Sequence, residues 1–180
     1  MRVITGSARG TRLEVPEGMD VRPTTDKVKE SIFDIIQFDV PDTQVLDLFA
    51  GSGQLGIEAL SRGAKHATFV DNSERSLKFV RNNLKKTRFS DKAVVRKAEA
   101  RQFLGMTRDT FDIALLDPPY RKQILDTVLP LLDPKMSENG IIVCETASEE
   151  SLPQELKRFQ IAKEYRYGKI KLTVYRRKGE

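Results

Sequence analysis

A glycine-rich turn between a strand and a helix constrains the fold of this chain more than any other feature. Residues 45–49 form a short apolar run interrupted by Asp47, which predicts a buried strand. Gly51, Gly53 and Gly56 follow at the spacing G-x-G-x-x-G, and a helix is predicted through residues 56–61. Glycines allow the backbone to turn sharply between the two elements. This unit predicts an α/β fold with a largely parallel sheet.

The middle of the chain repeats the alternation of strands and helices. Further strands are predicted at residues 67–71, 93–96, 111–117 and 140–144. Helices are predicted over residues 121–132 and from Asn72 or Ser73, either of which can cap the helix that it begins. Strands that alternate with helices favour a mostly parallel, Rossmann-like sheet covered on both faces.

The two ends of the chain depart from this alternation. Residues 161–166 and 169–176 flank Tyr167-Gly168 and predict a closing antiparallel hairpin. Strand-like pieces occur within residues 3–15, and a helix is predicted over residues 26–38 with Thr24 or Thr25 as its cap. We expect one compact domain, with residues 1–40 as a small N-terminal extension and residues 41–180 as the core.

Composition argues against several classes of protein. Cys144 is the single cysteine and His66 the single histidine, so neither a disulfide framework nor a cysteine or histidine metal site is expected. The sequence contains no apolar run long enough to cross a bilayer and no signal-peptide core at its start. We expect a monomeric, cytoplasmic protein without a bound metal or a membrane partner.

Charge is distributed unevenly along the chain. The net charge is +5, and residues 75–101 hold ten lysines and arginines against two acids. Residues 157–180 hold nine against two, whereas residues 109–150 hold nine acids against three bases. This asymmetry suits a polyanion such as a nucleic acid bound at one face, although basic helices also serve solubility.

The glycine turn indicates a nucleoside-containing cofactor. Asp71 ends the second predicted strand, 20 residues after Gly51, where an acid can accept hydrogen bonds from ribose hydroxyls. That pattern fits a nicotinamide dinucleotide and S-adenosylmethionine alike. Asp47 favours S-adenosylmethionine, because its carboxylate lies where a dinucleotide fold requires an apolar residue and can hold the amino acid end of the cofactor. A chain of 180 residues also leaves little room for the substrate domain of a dehydrogenase.

The segment Asp117-Pro118-Pro119-Tyr120 ends the fourth predicted strand, at the same edge of the sheet as the glycine turn. The prolines fix the backbone and donate no hydrogen bond, so the Asp117 carboxylate and a neighbouring carbonyl form two rigid acceptors. Two acceptors on the N–H bonds of a nucleobase amine favour a pyramidal nitrogen, whose lone pair can attack a methyl group. Tyr120 offers a flat face for a base removed from its stack.

Together, these motifs resemble those of the bacterial 16S ribosomal RNA guanine-N2 methyltransferases of the RsmD type. The resemblance extends over essentially the whole chain and rests on Arg9-Gly10, Arg22-Pro23-Thr24, the run VLDLFAGSGQLGIEALSRGA at residues 45–64, residues 117–120 and Tyr167-Gly168. It implies a Rossmann-like S-adenosylmethionine-dependent methyltransferase fold with that cofactor. It also implies 16S ribosomal RNA as the partner, either free or within an assembling small ribosomal subunit.

The motifs and the resemblance assign three groups of site residues. The catalytic group, which would hold the target amine, is Asp117, Pro118, Pro119 and Tyr120. The cofactor group is Asp47, Phe49, Gly51, Gly53, Asp71, Asn72, Glu99 and Ala100. The RNA group is Arg9, Arg12, Arg22 and Thr24. Glu99 stands where the family commonly has Asp, which moves the acceptor for the adenine amino group by one methylene, and the family frequently has Glu at the position of Asp71.

Alternatives stay open from the residues alone. The Asp-Pro-Pro-Tyr motif also suits an adenine-N6 DNA methyltransferase, although no length remains for a target-recognition domain. A glutamine-N5 protein methyltransferase usually carries Asn in place of Asp117, and a non-catalytic RNA-binding module could retain the same fold. Arg22 could also belong to a helix start. Glu145 is expected on solvated surface and His66 on a loop. Neither His66 nor Cys144 is assigned a role.

Overall fold

A computed structural model of the chain describes residues 1–17, 25–120 and 123–179. Within these residues the chain forms a seven-stranded sheet and five α-helices. The helices are α1 (Thr25–Ile36), α2 (Gln54–Ser61), α3 (Glu74–Thr87), α4 (Ala100–Met106) and α5 (Ile124–Leu132). The strands are β1 (Gln44–Asp47), β2 (His66–Asp71), β3 (Ala93–Lys97), β4 (Phe111–Leu116), β5 (Met136–Ala147), β6 (Phe159–Tyr167) and β7 (Ile170–Arg177).

The strand order β3-β2-β1-β4-β5-β7-β6 creates a reversal at the centre of the sheet. Strands β1 to β5 are parallel, and β7 runs antiparallel between β5 and β6. The chain winds outward from β1 to β3 and then returns to β4 on the other side of β1. The predicted mostly parallel sheet and C-terminal hairpin are confirmed. Ligands of open α/β sheets bind at such a reversal, beyond the carboxyl ends of the strands.

The core lies on both faces of the sheet, because alternate residues of a strand point to opposite sides. On one face, α1, α2 and α3 pack against residues that include Val45, Phe69 and Leu115. On the other face, α4 and α5 pack against residues that include Leu46 and Leu116. Burial on both sides explains why the parallel strands are almost continuously apolar.

The N-terminal segment is tied to α2 by a buried carboxylate. The backbone N–H groups of Ile4 and Thr5 donate to Glu58 at 2.8 and 3.1 Å. The side chain of Arg62 donates to the same carboxylate at 2.9 Å, and the Nζ of Lys29 in α1 lies 3.6 Å from it. Glu58 is fully buried, so these three hydrogen bonds and the nearby Lys29 ammonium replace the water that a carboxylate requires.

Several observed boundaries differ from those predicted. β1 ends at Asp47 rather than at residue 49, since the glycine turn begins there, and β5 begins at Met136 rather than at residue 140. In place of strands within residues 3–15, the structure has an isolated antiparallel bridge between Arg2 and Arg12. His66 begins β2 and does not lie on a loop. The patterns do not predict α4, because seven residues carry too short an apolar repeat.

The predicted helix starts have different outcomes. Ser73 caps α3, and its Oγ accepts the N–H of Ser76 at 3.2 Å. Thr24 and residues 121–122, at the predicted start of α5, lie outside the described residues. In the described part of the chain, no helix is both long and apolar enough to cross a membrane.

Candidate active site

A cleft of about 1200 Å³ opens at the carboxyl ends of the parallel strands. The predicted site residues that line it are Phe49, Gly51, Asp71, Asn72, Glu99, Ala100, Asp117, Pro118, Pro119 and Tyr120. The glycine turn and the Asp-Pro-Pro-Tyr segment therefore face one cavity. Asp47 and Gly53 are buried beside this lining and do not reach its surface, since α2 covers the end of β1.

The glycine turn brings the start of α2 against β2. Gly53 has a φ of +84°, which favours glycine, and its N–H donates to the carbonyl of Ala50 at 2.7 Å. At Gly56, a Cβ atom would lie 2.3 Å from the ring of Phe69. Glycine at this position allows the helix to contact the strand directly.

Asp47 is a buried carboxyl group with one unused oxygen. Its Oδ2 accepts the N–H of Gly56 at 2.9 Å, whereas its Oδ1 has no hydrogen-bond partner within the described ranges. Burial raises the pKa of Asp47 to about 7, opposed by the Gly56 bond and assisted by the nearby charge of Asp71. The Oε1 of Gln54, a residue of the cleft lining, is likewise buried and unpartnered within those ranges. Two such acceptors suit the ammonium group of an amino acid ligand.

Asp71 is held at the end of β2 by two backbone bonds. Its Oδ2 accepts the N–H of Gly51 at 2.9 Å, and its Oδ1 accepts the N–H of Ser73 at 2.9 Å. A carboxylate has about four lone-pair sites, so these bonds fix its position and still leave capacity for ribose hydroxyls. This geometry suits the predicted ribose contact.

Glu99 caps α4. Its carboxylate accepts the N–H of Gln102 at 3.2 Å and pairs with Arg101 at 3.1 Å. Glu99 and Ala100 both line the cleft, so an adenine ring placed there would meet the first turn of this helix. Glu99 therefore has a capping role in the helix that the sequence patterns do not predict.

The Asp-Pro-Pro-Tyr segment meets β5 at the far side of the cleft. The Tyr120 hydroxyl donates to Oε1 of Glu145, and both residues are half-buried in the lining. Leu116 pairs with Cys144 in the β4–β5 register, so Asp117 and Glu145 are the next residues of neighbouring strands. The expectation that Glu145 lies on solvated surface is wrong, because β5 extends past it to residue 147 and directs it to the cleft.

The predicted RNA residues lie outside the cleft lining or outside the described residues. Arg9 and Arg12 lie on the N-terminal segment, away from the lining. Arg22 and Thr24 belong to residues 18–24, which are not described. The segment nevertheless reaches the site, because Val15 and Pro16 form part of the cleft lining.

Asn83 of α3 holds this segment beside the glycine turn. Its Oδ1 accepts the N–H of Glu14 at 2.7 Å, and its Nδ2 donates to the carbonyls of Glu14 at 2.8 Å and Ser52 at 2.9 Å. Asn83 is fully buried, so its amide group joins two backbone segments that are distant in sequence.

The sequence patterns also do not identify Lys29, Gln54 and Arg75 as lining residues. Gln54 directly follows Gly53, the last residue of the glycine turn, and this position next to the turn is a sequence feature that could have identified it. Lys29 lies beside Val28 on the buried face of α1, and burial lowers its pKa, with Glu58 opposing that shift. A lysine on an apolar helix face indicates a buried acid elsewhere. Across the described ranges, no group of three or more His, Cys, Asp and Glu side chains could hold a metal ion.

Comparisons with known proteins agree with this fold and site. The family model described as "Conserved hypothetical protein 95" matches residues 1–176. The "Putative rRNA methyltransferase YlbH" of Bacillus subtilis is 41% identical over 184 residues, which cover 99% of this chain and 100% of the relative. "Ribosomal RNA small subunit methyltransferase D" of Escherichia coli K12 is 32% identical, and the match covers 100% of this chain and 91% of that protein.

A solved structure covers the whole chain. The "Putative methyltransferase yhhF" of Escherichia coli has a TM-score of 0.89 and 33% identity, and the match covers 100% of this chain and 99% of that one. This similarity confirms the predicted methyltransferase fold. The chain therefore belongs to the conserved hypothetical protein 95 family, the family of the RsmD-type ribosomal RNA methyltransferases that its motifs resemble.

Proposed function

We propose that this protein transfers a methyl group from S-adenosylmethionine to the exocyclic N2 amine of a guanine in 16S ribosomal RNA. The observation that carries the proposal is that one cleft contains both the glycine turn with Asp71 and the Asp117-Pro118-Pro119-Tyr120 segment. Relatives named ribosomal RNA small subunit methyltransferases support an RNA substrate.

The proposed cofactor site consists mainly of side-chain oxygens that can accept hydrogen bonds from the cofactor. Gln54 Oε1 and Asp47 Oδ1 are buried and unpartnered in the described structure. Gln54, in the cleft lining, would accept the ammonium of the methionine end directly, and Asp47, buried beside the lining, would hold it through a water molecule. Asp71 would accept the ribose hydroxyls, and Glu99 and Ala100 would flank the adenine. Phe49, Gly51, Gly53 and Asn72 complete this group. When bound, S-adenosylmethionine supplies an electrophilic methyl on a sulfonium sulfur, which keeps the bonding electron pair as the methyl moves to nitrogen.

The amine site follows from rigid acceptors. Asp117 and a carbonyl of the proline segment accept the two N–H bonds of the amine, which directs its lone pair toward the methyl group. The nitrogen becomes positive as its new bond forms and then loses one proton, for which the carboxylate of Asp117 is the nearest acceptor in this arrangement. Tyr120 stacks on the extruded base. Catalysis then consists mainly of positioning and electrostatic stabilisation.

The RNA would bind across the N-terminal extension, residues 1–40, beside the core of residues 41–180. Arg9, Arg12, Arg22 and Thr24 would contact phosphates next to the cleft. We propose a cytoplasmic monomer that acts on 16S ribosomal RNA, either free or within an assembling small ribosomal subunit. The adenine-N6 DNA methyltransferase and the non-catalytic RNA-binding module remain the competing functions.

One assay separates these functions. The protein is incubated with cofactor carrying a labelled methyl group and, separately, with 16S ribosomal RNA, assembling small subunits, duplex DNA and ribosomal proteins. The modified nucleoside is then identified by mass spectrometry. N2-methylguanine in the RNA is the expected product. Methyladenine in DNA, methylated protein, or cofactor binding without transfer to any substrate would contradict the proposal.

A further inference from the structure

Two carboxylates line the cleft where β4 and β5 lie next to each other. Asp117 follows β4 and Glu145 lies in β5, each one residue beyond the paired residues Leu116 and Cys144. Leu116 and Cys144 pack with α4 and α5, so the next residues face the opposite side. Neighbouring strands are about 4.8 Å apart, so side chains from both can contact adjacent atoms of one ligand. Both residues belong to the lining of the cleft.

Glu145 is held in a defined position. The Tyr120 hydroxyl donates to its Oε1, and Glu145 pairs in register with Leu172 of β7, which is fully buried. A carboxylate has two oxygens and about four lone-pair sites, so it can accept several hydrogen bonds at once. The Tyr120 bond fixes the Glu145 carboxylate in the cleft, next to the acceptor that Asp117 provides.

The acceptor beside Asp117 distinguishes the bases that carry an exocyclic amine. In guanine, the carbon that carries the N2 amine lies between N1, which bears a proton and donates, and N3, which has a lone pair; the N1 side therefore offers a donor to a carboxylate. In adenine, the ring nitrogen next to the N6 amine has a lone pair and no proton, and the same holds for N3 beside the N4 amine of cytosine. A carboxylate at this position attracts guanine and repels the other two bases.

We infer that Glu145 accepts the N1–H of the target base and thereby selects guanine. The inference rests on the proposed function and names the residue that sets its base specificity. Asp117 contacts the reacting amine, while Glu145 contacts the neighbouring ring atom. A carboxylate at N1–H also raises the electron density of the ring, which favours attack by N2 as positive charge develops there.

The test compares guanine with 2-aminopurine, which keeps the 2-amino group but lacks O6 and has a lone pair at N1 in place of the proton. Once the modified nucleotide is mapped, 16S ribosomal RNA with either base at that position is assembled by ligation and reconstituted into small subunits. Wild type should prefer guanine by roughly ten- to hundredfold in single-turnover kcat/KM. Glu145→Gln should reduce this ratio toward one, because the amide can donate to N1 of 2-aminopurine.

Two controls make the result specific. Glu138→Gln, an exposed acid near the other end of β5, should keep the wild-type ratio. The fluorescence of 2-aminopurine, which rises when the base leaves its stack, measures base binding independently of turnover, and the rise should be larger with Glu145→Gln than with wild type.

The outcomes distinguish this inference from the function on which it rests. Guanine methylation with the same base preference in wild type and Glu145→Gln would overturn the inference and leave the proposed function intact. No methyl transfer to guanine by wild type, in the presence of bound cofactor, would overturn both.

Discussion

The Oδ2 of Asp71 lies 2.9 Å from the backbone nitrogen of Gly51, so the acid at the end of β2 holds the glycine turn at the end of β1. One carboxylate thus positions the turn and lines the cleft. Its removal should weaken the cofactor site in two ways, because the ribose would have no acceptor there and the turn would be less ordered.

Asp71→Ala is therefore expected to weaken binding of S-adenosylhomocysteine by about 1–3 kcal/mol, the usual effect of removing hydrogen bonds to a charged acceptor. Isothermal titration calorimetry measures this change directly. Asp91→Ala, an exposed acid in the short 3-10 helix before β3, serves as the control and should bind like wild type. Unchanged affinity in Asp71→Ala, or tight binding of NAD by wild type, would exclude the proposed cofactor site.

Asp117→Ala is expected to abolish most methyl transfer and to leave cofactor affinity nearly unchanged, because the acceptors matter in the transition state. Asp117→Asn should retain some activity, since its amide oxygen still accepts one hydrogen bond. Single-turnover methylation of the mapped RNA, combined with calorimetry, measures both quantities. Near-normal transfer by Asp117→Ala would refute the amine-holding mechanism.

Tyr120→Phe and Tyr120→Ala separate the ring from the hydroxyl. The ring alone supports stacking, so Tyr120→Phe should have a mild effect that reflects the missing bond to Glu145. Tyr120→Ala should weaken binding of the base by about 1–3 kcal/mol. Binding of RNA with 2-aminopurine at the target position, followed by fluorescence, reports both variants. Equal effects in the two variants would show that stacking is not the role of this residue.

The arginines of the N-terminal segment should control the salt dependence of RNA binding. Replacing Arg9, Arg12 and Arg22 with Ala should weaken binding and reduce the slope of log K against log salt by about one unit or less for each phosphate that the protein no longer neutralises. Titrations at several salt concentrations measure the slope, and Arg108→Ala, an exposed residue before β4, is the control. An unchanged slope in the triple variant would place the RNA elsewhere, such as along the basic helix α3.

Asp47→Asn should change how stability depends on pH. Burial raises the pKa of Asp47 in the folded protein to about 7 from its ordinary value of 3.8. Between pH 3.8 and about pH 7, the folded state retains a proton on Asp47 that the unfolded state releases. The protonated Asp47 therefore favours folding at low pH, and this contribution to stability is lost as the pH rises through 7. Relative to wild type, the variant should gain stability between about pH 5 and about pH 8. Urea denaturation at both values tests this, and a constant difference would contradict it.

The sequence predicts the framework of this protein better than its contacts across the sheet. Apolar runs identify β1, β2 and β4, because both faces of these strands are buried. Glycine spacing locates the cofactor edge, since a tight turn restricts which residues can form it. These signals are local, and each can be recognised within about ten residues of chain.

Glu145 and Lys29 have contacts that local sequence patterns cannot predict. Glu145 is one of several acids that follow apolar runs, and its role depends on Tyr120, 25 residues earlier. Lys29 is explained by Glu58 on a different helix. Because neither partner lies within one turn or one strand of the residue that it contacts, no periodic pattern records these pairs.

The burial of Glu58 has a consequence for the order of events during synthesis. Ile4 and Thr5 are translated before the carboxylate that accepts their N–H groups, which lies 54 and 53 residues later. The segment that contains them must therefore remain undocked while the residues up to Glu58 are translated. It reaches its place only after α2 exists to receive it.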